Sequence, residues 1–516
     1  MPRHFNTAGP CDPEIHYMLP PEGRLPDLLP LVERRQYFVI HAARQTGKTT
    51  AMRALAARLR GMEMAAIHAT LEASQEVDEV ERVENLWIDA IEARGVRDLP
   101  LPMQPPPRPG GTTGLRLNSW LRAWSEKAAP ASVVLFLDEA DVVTGVPLVN
   151  LLRQLRAGFP DRPGGFPACI ALVGMRDLRD YLAASKGGVP VNPGSPFNIK
   201  SESITLRNFS EAEVGELYAQ HTADTGQAFA PAAVERAFYW TQGQPFLVNK
   251  LAATCVDVLA TDRTTTITAA HVDEAKERLV LSRTTHLDAL AQRLREPRVA
   301  RIVQAVILGD EAIDYGHDDF QYTLDLGLLR RARAGAEPAN PIYREVLARE
   351  VSYNMQENAP LPWWPWERAP GKLDFPALVA AFREWWRDNG EFLGETAPGY
   401  PEAVAHVAVM GFLQRVVNGG GRVEREFAAG RGAVDVVVHF GGERFVVEIK
   451  RVRGGRDTLE RIREKGLAQI SRYLASLGAT EGWLFIFDQR PGRTWDERLW
   501  TETVVHEGRT VHLVGG

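Results

Sequence analysis

The run YFVIHAARQTGKTTAMRALAARLRG, residues 37 to 61, restricts the architecture of this chain more than any other stretch. YFVIH at 37 to 41 predicts a buried strand. A loop of small and polar residues follows, and then Met52, Leu55, Ala56 and Leu59 recur at helical spacing before Gly61 offers a stop. Strand, tight loop and helix make the opening unit of an α/β domain. Three more apolar runs, MAAIHATL at 64 to 71, ASVVLFLDEA at 131 to 140 and ACIALVG at 168 to 174, predict further strands with helices between them. Continuous apolar strands alternating with helices imply a parallel sheet covered on both faces. The proline-rich LPLPMQPPPRPGG, 99 to 111, suits neither element and is expected as a surface excursion.

A chain of 516 residues holds three or four domains by length. The expected divisions are an arm over 1–30, the α/β core over 31–205, a helical lid over 206–284 and a winged-helix-like module over 285–355. In that module YTLDLGLLRRA and NPIYREVLAREV flank a two-stranded wing. The segment 356–372 has four prolines and three tryptophans, the composition of a linker that docks instead of floating. The remainder, 373–516, reads as two helices (FPALVAAFREWW and YPEAVAHVAVMGFLQRVV), strands near 421–427, 433–440 and 443–450, a helix TLERIREKGLAQISRYLASLG, and a last strand EGWLFIFD.

Hydrophobic residues at 45%, charged residues at 24% and a formal charge of −6 describe an ordinary globular chain, so any basic surface must be local. Cys11, Cys169 and Cys255 lack CxxC spacing, which argues against a thiolate zinc site and against a disulfide framework. No apolar run approaches the roughly 20 residues of a membrane helix, and the first residues lack a signal-peptide core. A cytoplasmic protein without a membrane partner is expected.

AARQTGKT, Ala42 to Thr49, matches a phosphate-binding P-loop with alanine in place of the first glycine. Successive backbone N–H groups at a helix N-terminus wrap anionic phosphate, and bulky side chains would block that approach. Ala43, Arg44, Gln45, Thr46, Gly47, Lys48, Thr49 and Thr50 are the candidate ATP contacts. Lys48 is expected on the β and γ phosphates and the Thr49 hydroxyl on Mg²⁺. VVLFLDEAD sets Asp138 and Glu139 at the C-terminal end of a strand, where open α/β sheets bind ligands. Asp138 is expected to hold the magnesium shell and Glu139 to polarise the attacking water. Arg176, in LVGMRDLRDY, is placed either to sense the γ phosphate or to cap a helix or pair with Asp177. The turn Gly243 to Pro245 brings the lid toward the nucleotide or is a simple turn.

The arm FNTAGPC, the loop HAARQTGKTT, FLDEAD and GQPFLVN together resemble the AAA-like and STAND-related bacterial and archaeal P-loop ATPases over about residues 1 to 350. The resemblance implies a P-loop NTPase sheet, a helical lid with a Gly-x-Pro turn, a winged-helix module and a nucleotide-controlled switch carrying an effector. An arginine finger and a polar Asn or Ser at the fourth strand are not evident, so the transition-state stabiliser stays open.

A second constellation stands near the C-terminus. Glu448 and Lys450, two apart in RFVVEIK, share one face of a strand, and Asp435 lies on the strand before it across a turn at Gly441 and Gly442. Two carboxylates and the Ile449 carbonyl suit Mg²⁺ or Mn²⁺. Such a metal would lower the pKa of a bound water, with Lys450 orienting it. D-x12-E-x-K, preceded by GRGAV and set in helix, strands, helix, strand, resembles the PD-(D/E)XK nuclease superfamily over about 395 to 490, with Val434 in place of the proline. That resemblance implies a restriction-endonuclease-like α/β domain, a catalytic Gln469 with Tyr473 as a QxxxY element, and Glu402 or His406 near the metal. His406 on an apolar helix reads equally as a core residue. Between Lys450 and Arg472 stand eight Lys or Arg against three Asp or Glu, a patch suited to a phosphate backbone.

The combined expectation is an ATP-hydrolysing regulatory protein with a metal-dependent nuclease effector acting on nucleic acid, DNA first. Defence or mobile-element biology follows from the resemblance alone, and homo-oligomerisation stays open. The rival is a signalling or scaffold ATPase whose C-terminal domain binds nucleic acid or protein without cutting; binding that survives EDTA separates the two.

Overall fold

The strand expected at 37 to 41 is β1 (Tyr37–His41), the hub of a five-stranded sheet with β2 (Ala65–Thr70), β3 (Val133–Asp138), β4 (Cys169–Gly174) and β5 (Lys200–Thr205). The computed structural model describes residues 3–25, 28–108, 111–175, 200–281, 287, 290, 292–308, 317–332, 335–347, 367–369, 372–395, 409, 412–413, 421–429, 432–452, 458–488, 490 and 492–516. They fall into two compact units, Met1–Thr284 with Gly316–Arg330 and Ala339–Ile342, and Thr285–Tyr315 with Arg331–Pro338 and Tyr343–Gly516.

In the first unit the strand order is β2-β3-β4-β1-β5, with every pair parallel. Side chains alternate between two cores, as the period of two requires. Tyr37, Val39, Ile67, Leu135 and Leu172 face helices α2 (Val80–Asp98), α3 (Arg116–Ala128) and α4 (Gly145–Gly158). Phe38, Ile40, Phe136 and Val173 face Met52, Leu55 and Leu59 of α1 (Lys48–Arg60). Because β1 lies between β4 and β5, the loop after it opens at the point where strand order reverses, the usual ligand position in such sheets.

β5 is a strand that the sequence reading did not pick out within the core expected over 31–205. KSESIT has no apolar run, and of its described side chains Ile204 is the one in the core, so an edge strand of this kind leaves little periodic signal. The described part of the proline stretch, 99–108, is largely exposed, as a surface excursion is, and is anchored at two points: the indoles of Trp124 and Trp120 donate to the carbonyls of Met103 (2.8 Å) and Pro106 (3.0 Å). The lid consists of α5 (Glu211–Thr225), α6 (Pro231–Thr241), α7 (Pro245–Thr254) and α8 (Ala269–Leu281). The arm lies on it: Phe5 meets the rings of Tyr218, His221 and Phe229, and Arg3 pairs with Asp224 at 3.0 Å. Farther on are α9 (Pro297–Leu308), α10 (His317–Asp325) and a two-stranded sheet of Leu329–Ala332 with Gly335–Pro338.

The second unit contains a six-stranded mixed sheet. Its strands are β6 (Gly421–Ala429), β7 (Gly432–Phe440), β8 (Glu443–Val452), β9 (Glu481–Asp488), β10 (Thr501–His506) and β11 (Arg509–Gly515), in the order β6-β7-β8-β9-β11-β10. β8 pairs antiparallel with β7 and parallel with β9. Helix α11 (Phe375–Glu395) covers one face through Phe375, Phe382, Trp385 and Trp386, and α12 (Leu459–Leu477) covers the other through Leu467, Ile470 and Leu474. EGWLFIFD is therefore not the last strand. β10 and β11 form a hairpin on Glu507 (φ 48) and Gly508 (φ 74), the left-handed pair of a two-residue turn, and β11 inserts beside β9. Arg176, Glu402, His406 and residues 356–366 lie outside the described residues, as does most of the helix expected over 400–417.

Candidate functional site

Glycine is required at the tip of the phosphate loop. Gly47 has φ 90, and a Cβ there would stand 2.9 Å from the Arg24 guanidinium. Lys48 opens α1 with its side chain buried, and its Nζ donates to the carbonyls of Ala42 (2.8 Å) and Ala43 (3.0 Å). Burial pulls the ammonium pKa down, against the charges of Asp138, Asp141 and Glu139. The Thr46 hydroxyl donates to the Ala43 carbonyl at 2.9 Å, and Arg44 and Gln45 are exposed. The loop thus holds itself in a nest with its cation directed inward.

Thr49 Oγ1 donates to Asp138 Oδ2 at 2.7 Å, so the two predicted magnesium groups do meet. Asp138 Oδ1 also accepts the Glu139 N–H at 2.9 Å. Burial alone would raise the Asp138 pKa; bonds from His68 and Thr49 overrule it and hold the carboxyl below its usual range. Glu139 adopts φ 54, a left-handed conformation that non-glycine residues seldom take. Burial, then Asp141, then Asp138 raise its pKa, the direction expected for a group that accepts a proton from water.

Two contributors carry no motif. His68, buried on β2, places Nε2 2.9 Å from Asp138 Oδ2. The position is one strand away in the sheet and 70 residues away in sequence. Arg24, at the end of the arm, donates to the Thr46 carbonyl at 2.8 Å and lies over the Phe209 ring. From the lid, Gln244 Nε2 donates to the Gln45 carbonyl at 3.3 Å, so the predicted turn reaches the loop. The Thr50 hydroxyl accepts the Cys11 N–H at 3.0 Å.

In the second unit, strand alternation sets Asp435, Glu448 and Lys450 on the face covered by α12. The β7–β8 ladder runs from Phe440 with Glu443 to Val436 with Val447. Beyond it the Asp435 carboxylate accepts the Ile449 N–H at 2.8 Å. Lys450 Nζ lies 2.5 Å from Glu448 Oε1, 4.0 Å from Asp435 Oδ2 and 3.4 Å from the Ile449 carbonyl. Glu448 is fully buried, and its Oε2 has no hydrogen-bond partner. Burial, then the Asp435 charge, push its pKa up to about 7 against the pull of Lys450. Gln469 Nε2 donates to the Tyr473 hydroxyl at 2.9 Å on α12. Among the described residues no three His, Cys, Asp or Glu side chains converge to hold a metal on their own, in either unit. No described helix is long and apolar enough to cross a membrane.

Among solved structures the chain is similar to the Walker-type ATPase of Pyrococcus abyssi (15% identity, TM-score 0.48, covering 66% of this chain and 99% of that one). It is similar also to the Aeropyrum pernix ORC1 protein in complex with DNA (14%, 0.33, 65% and 93%) and to the Thermotoga maritima RuvB Holliday junction branch migration motor (16%, 0.34, 62% and 90%). No curated protein matches the sequence. Residues 32–182 match the AAA domain family, and with the loop, Asp138 and Glu139 assembled as described, this stretch carries an AAA-type P-loop ATPase domain.

Proposed function

We propose that this protein binds and hydrolyses ATP and that its C-terminal domain is a metal-dependent nuclease acting on nucleic acid, DNA first. The observation that carries the nuclease reading is the buried acid–acid–lysine cluster of Asp435, Glu448 and Lys450. A buried carboxylate oxygen without a partner is unfavourable, and a hard divalent cation is the ligand that satisfies it. The residues therefore fit Mg²⁺ or Mn²⁺, held by Asp435, Glu448 and the Ile449 carbonyl, with waters completing the shell. Bound there, the metal would supply an acidified water and charge stabilisation at a phosphodiester.

The chain's own groups do the remaining work. Asp435 is oriented by the Ile449 N–H, and Lys450 is held at the carboxylates where it can orient a water. Gln469 and Tyr473 brace each other on the adjoining helix, and the basic residues of 450–472 supply phosphate contacts. In the ATP site, Lys48 leaves its two loop carbonyls for phosphate, while Glu139 accepts the proton of the attacking water. Nucleotide turnover regulating the nuclease, assembly of copies and a role in defence or mobile-element biology belong to this proposal as extensions. A non-cutting scaffold remains the competing reading.

The test is cleavage of plasmid and single-stranded DNA by the full chain with Mg²⁺ or Mn²⁺, with and without ATP. Asp435→Ala and Lys450→Ala are expected to abolish cutting and keep ATPase activity; Lys48→Ala is expected to lose ATP turnover. Cutting that persists in both C-terminal variants would remove the site assignment, and DNA binding retained in EDTA with intact ends would favour the scaffold.

A further inference from the structure

Asp141, the last acid of the LDEAD run, is assigned no task by the P-loop reading, yet its surroundings set it apart. The residue is 9% exposed and its Oδ1 has no hydrogen-bond partner. The carboxylate lies against Gly174 at the C-terminal end of β4, where a Cβ would stand 2.9 Å from Oδ1 and 3.3 Å from the carboxyl carbon. Gly174 in turn pairs with His41 and accepts the N–H of Ala42, the first residue of the phosphate loop. The fourth strand thus ends without a polar side chain, and an acid from the neighbouring strand's loop fills the space.

What this oxygen can bind follows from its charge. At neutral pH a carboxylate accepts hydrogen bonds and donates none, so it cannot stand in for an Asn or Ser that donates to a terminal phosphate. Facing phosphate directly it would be repelled. A magnesium ion brought in by ATP keeps several of its waters, and each is a strong donor made stronger by the metal. Lys48, the cation on which Asp141 acts, is engaged with two loop carbonyls and leaves Oδ1 free.

We propose that Asp141 is a positioning residue of the ATP site, its free Oδ1 accepting a hydrogen bond from a water of the hydrated Mg²⁺, in a space that Gly174 keeps open. The proposal rests on the ATPase reading. The experiment is equilibrium binding of a fluorescent N-methylanthraniloyl ADP to the full chain, in EDTA and over a Mg²⁺ series, with the melting temperature of each nucleotide-free variant measured alongside. Asp141→Asn is expected to bind at least as tightly as wild type in EDTA, where one negative charge fewer faces the phosphates, and to need about ten-fold more Mg²⁺ for half of the affinity gain, the worth of one charge-assisted hydrogen bond. Gly174→Ala, which leaves the acid and crowds it, is expected to shift the Mg²⁺ midpoint in the same direction. A wild-type Mg²⁺ midpoint in both variants overturns the proposal, and does so equally if Asp141→Asn lowers the melting temperature, because the acid is then structural. Lys48→Ala is the separate control: nucleotide binding unchanged in that variant would overturn the reading of the loop itself.

Discussion

Replacing Arg24 with methionine separates what this buried cation does for the phosphate loop from what it does for stability. Arg24 is 6% exposed, its Nε has no partner, and burial brings its pKa from 12.5 to about 10. Holding the charge in that place costs about 3 kcal/mol, at about 1.4 kcal/mol per unit. Against this stand bonds to the carbonyls of Thr46 (2.8 Å) and, more weakly, Arg207 (3.3 Å), at about 1.5–3 kcal/mol for a good one, and the Phe209 contact at about 0.5–2 kcal/mol. The two sides nearly cancel. Methionine keeps the stem packing and removes both the cost and the bonds, so Arg24→Met is expected to change unfolding free energy by no more than about 2 kcal/mol, whereas Arg24→Ala, which also opens a cavity, is expected to lose about 2 kcal/mol further. The nucleotide should register the change more strongly, because the Thr46 carbonyl fixes a peptide in the middle of the loop. Loss of one charge-assisted bond of about 1.5 kcal/mol corresponds to roughly ten-fold weaker ATP binding. Urea unfolding and fluorescent-nucleotide titration of the full chain measure the two effects. Wild-type affinity in Arg24→Met together with a stability loss above about 3 kcal/mol would refute the reasoning, since the cation would then serve the fold alone.

Other perturbations follow from single contacts. His68→Ala removes one of the groups bonded to Asp138 and is expected to slow ATP turnover about ten-fold, with a higher Mg²⁺ requirement in steady-state assays; unchanged turnover would make His68 a packing residue. Glu213, bonded by Arg207 and by the Ser210 N–H, has its carboxyl pKa brought down to about 2. A depressed carboxyl contributes stability above its ordinary value of 4.5 that is lost as pH falls toward 2. Glu213→Gln should therefore lower stability by about 1 kcal/mol at pH 7, Arg207 being half exposed, and flatten the acid limb of a melting profile. Gly158→Ala would drive a methyl group into the Phe166 ring and is expected to cost about 1–3 kcal/mol in thermal unfolding.

The ATP site was legible where its chemistry is local. From Ala42 to Thr50 the loop is continuous in sequence, and Asp138 with Glu139 announce themselves by ending an apolar run. Arg24 and His68 could not be read in this way, because each meets its partner through the sheet or the arm across 22 and 70 residues. The hairpin of β10 and β11 did leave a signal, Glu507–Gly508 between TETVVH and RTVHLVG, which a search for two-residue turns would find. Its place beside β9 had none, since parallel pairing is set by the sheet and not by the turn. In the C-terminal cluster, the shared face of Glu448 and Lys450 follows from the two-residue period. That Asp435 can meet Glu448 across the strand pair follows from the turn at Gly441 and Gly442, and its bond to the Ile449 N–H needed the observed register.

By itself the sequence determined the strand–loop–helix of the phosphate site, the alternation of strands and helices that builds a parallel sheet, and which acids and lysines are candidates for chemistry. These are properties of neighbouring residues, written in backbone torsions and in side-chain periodicity. Tertiary structure decided which strand each acid stands beside, that Gly174 leaves room for Asp141, that Arg24 props the loop, and that Glu448 is buried with an oxygen unpaired. Electrostatic character depends on burial and on charges a few ångströms away, and those distances exist only once remote segments have packed.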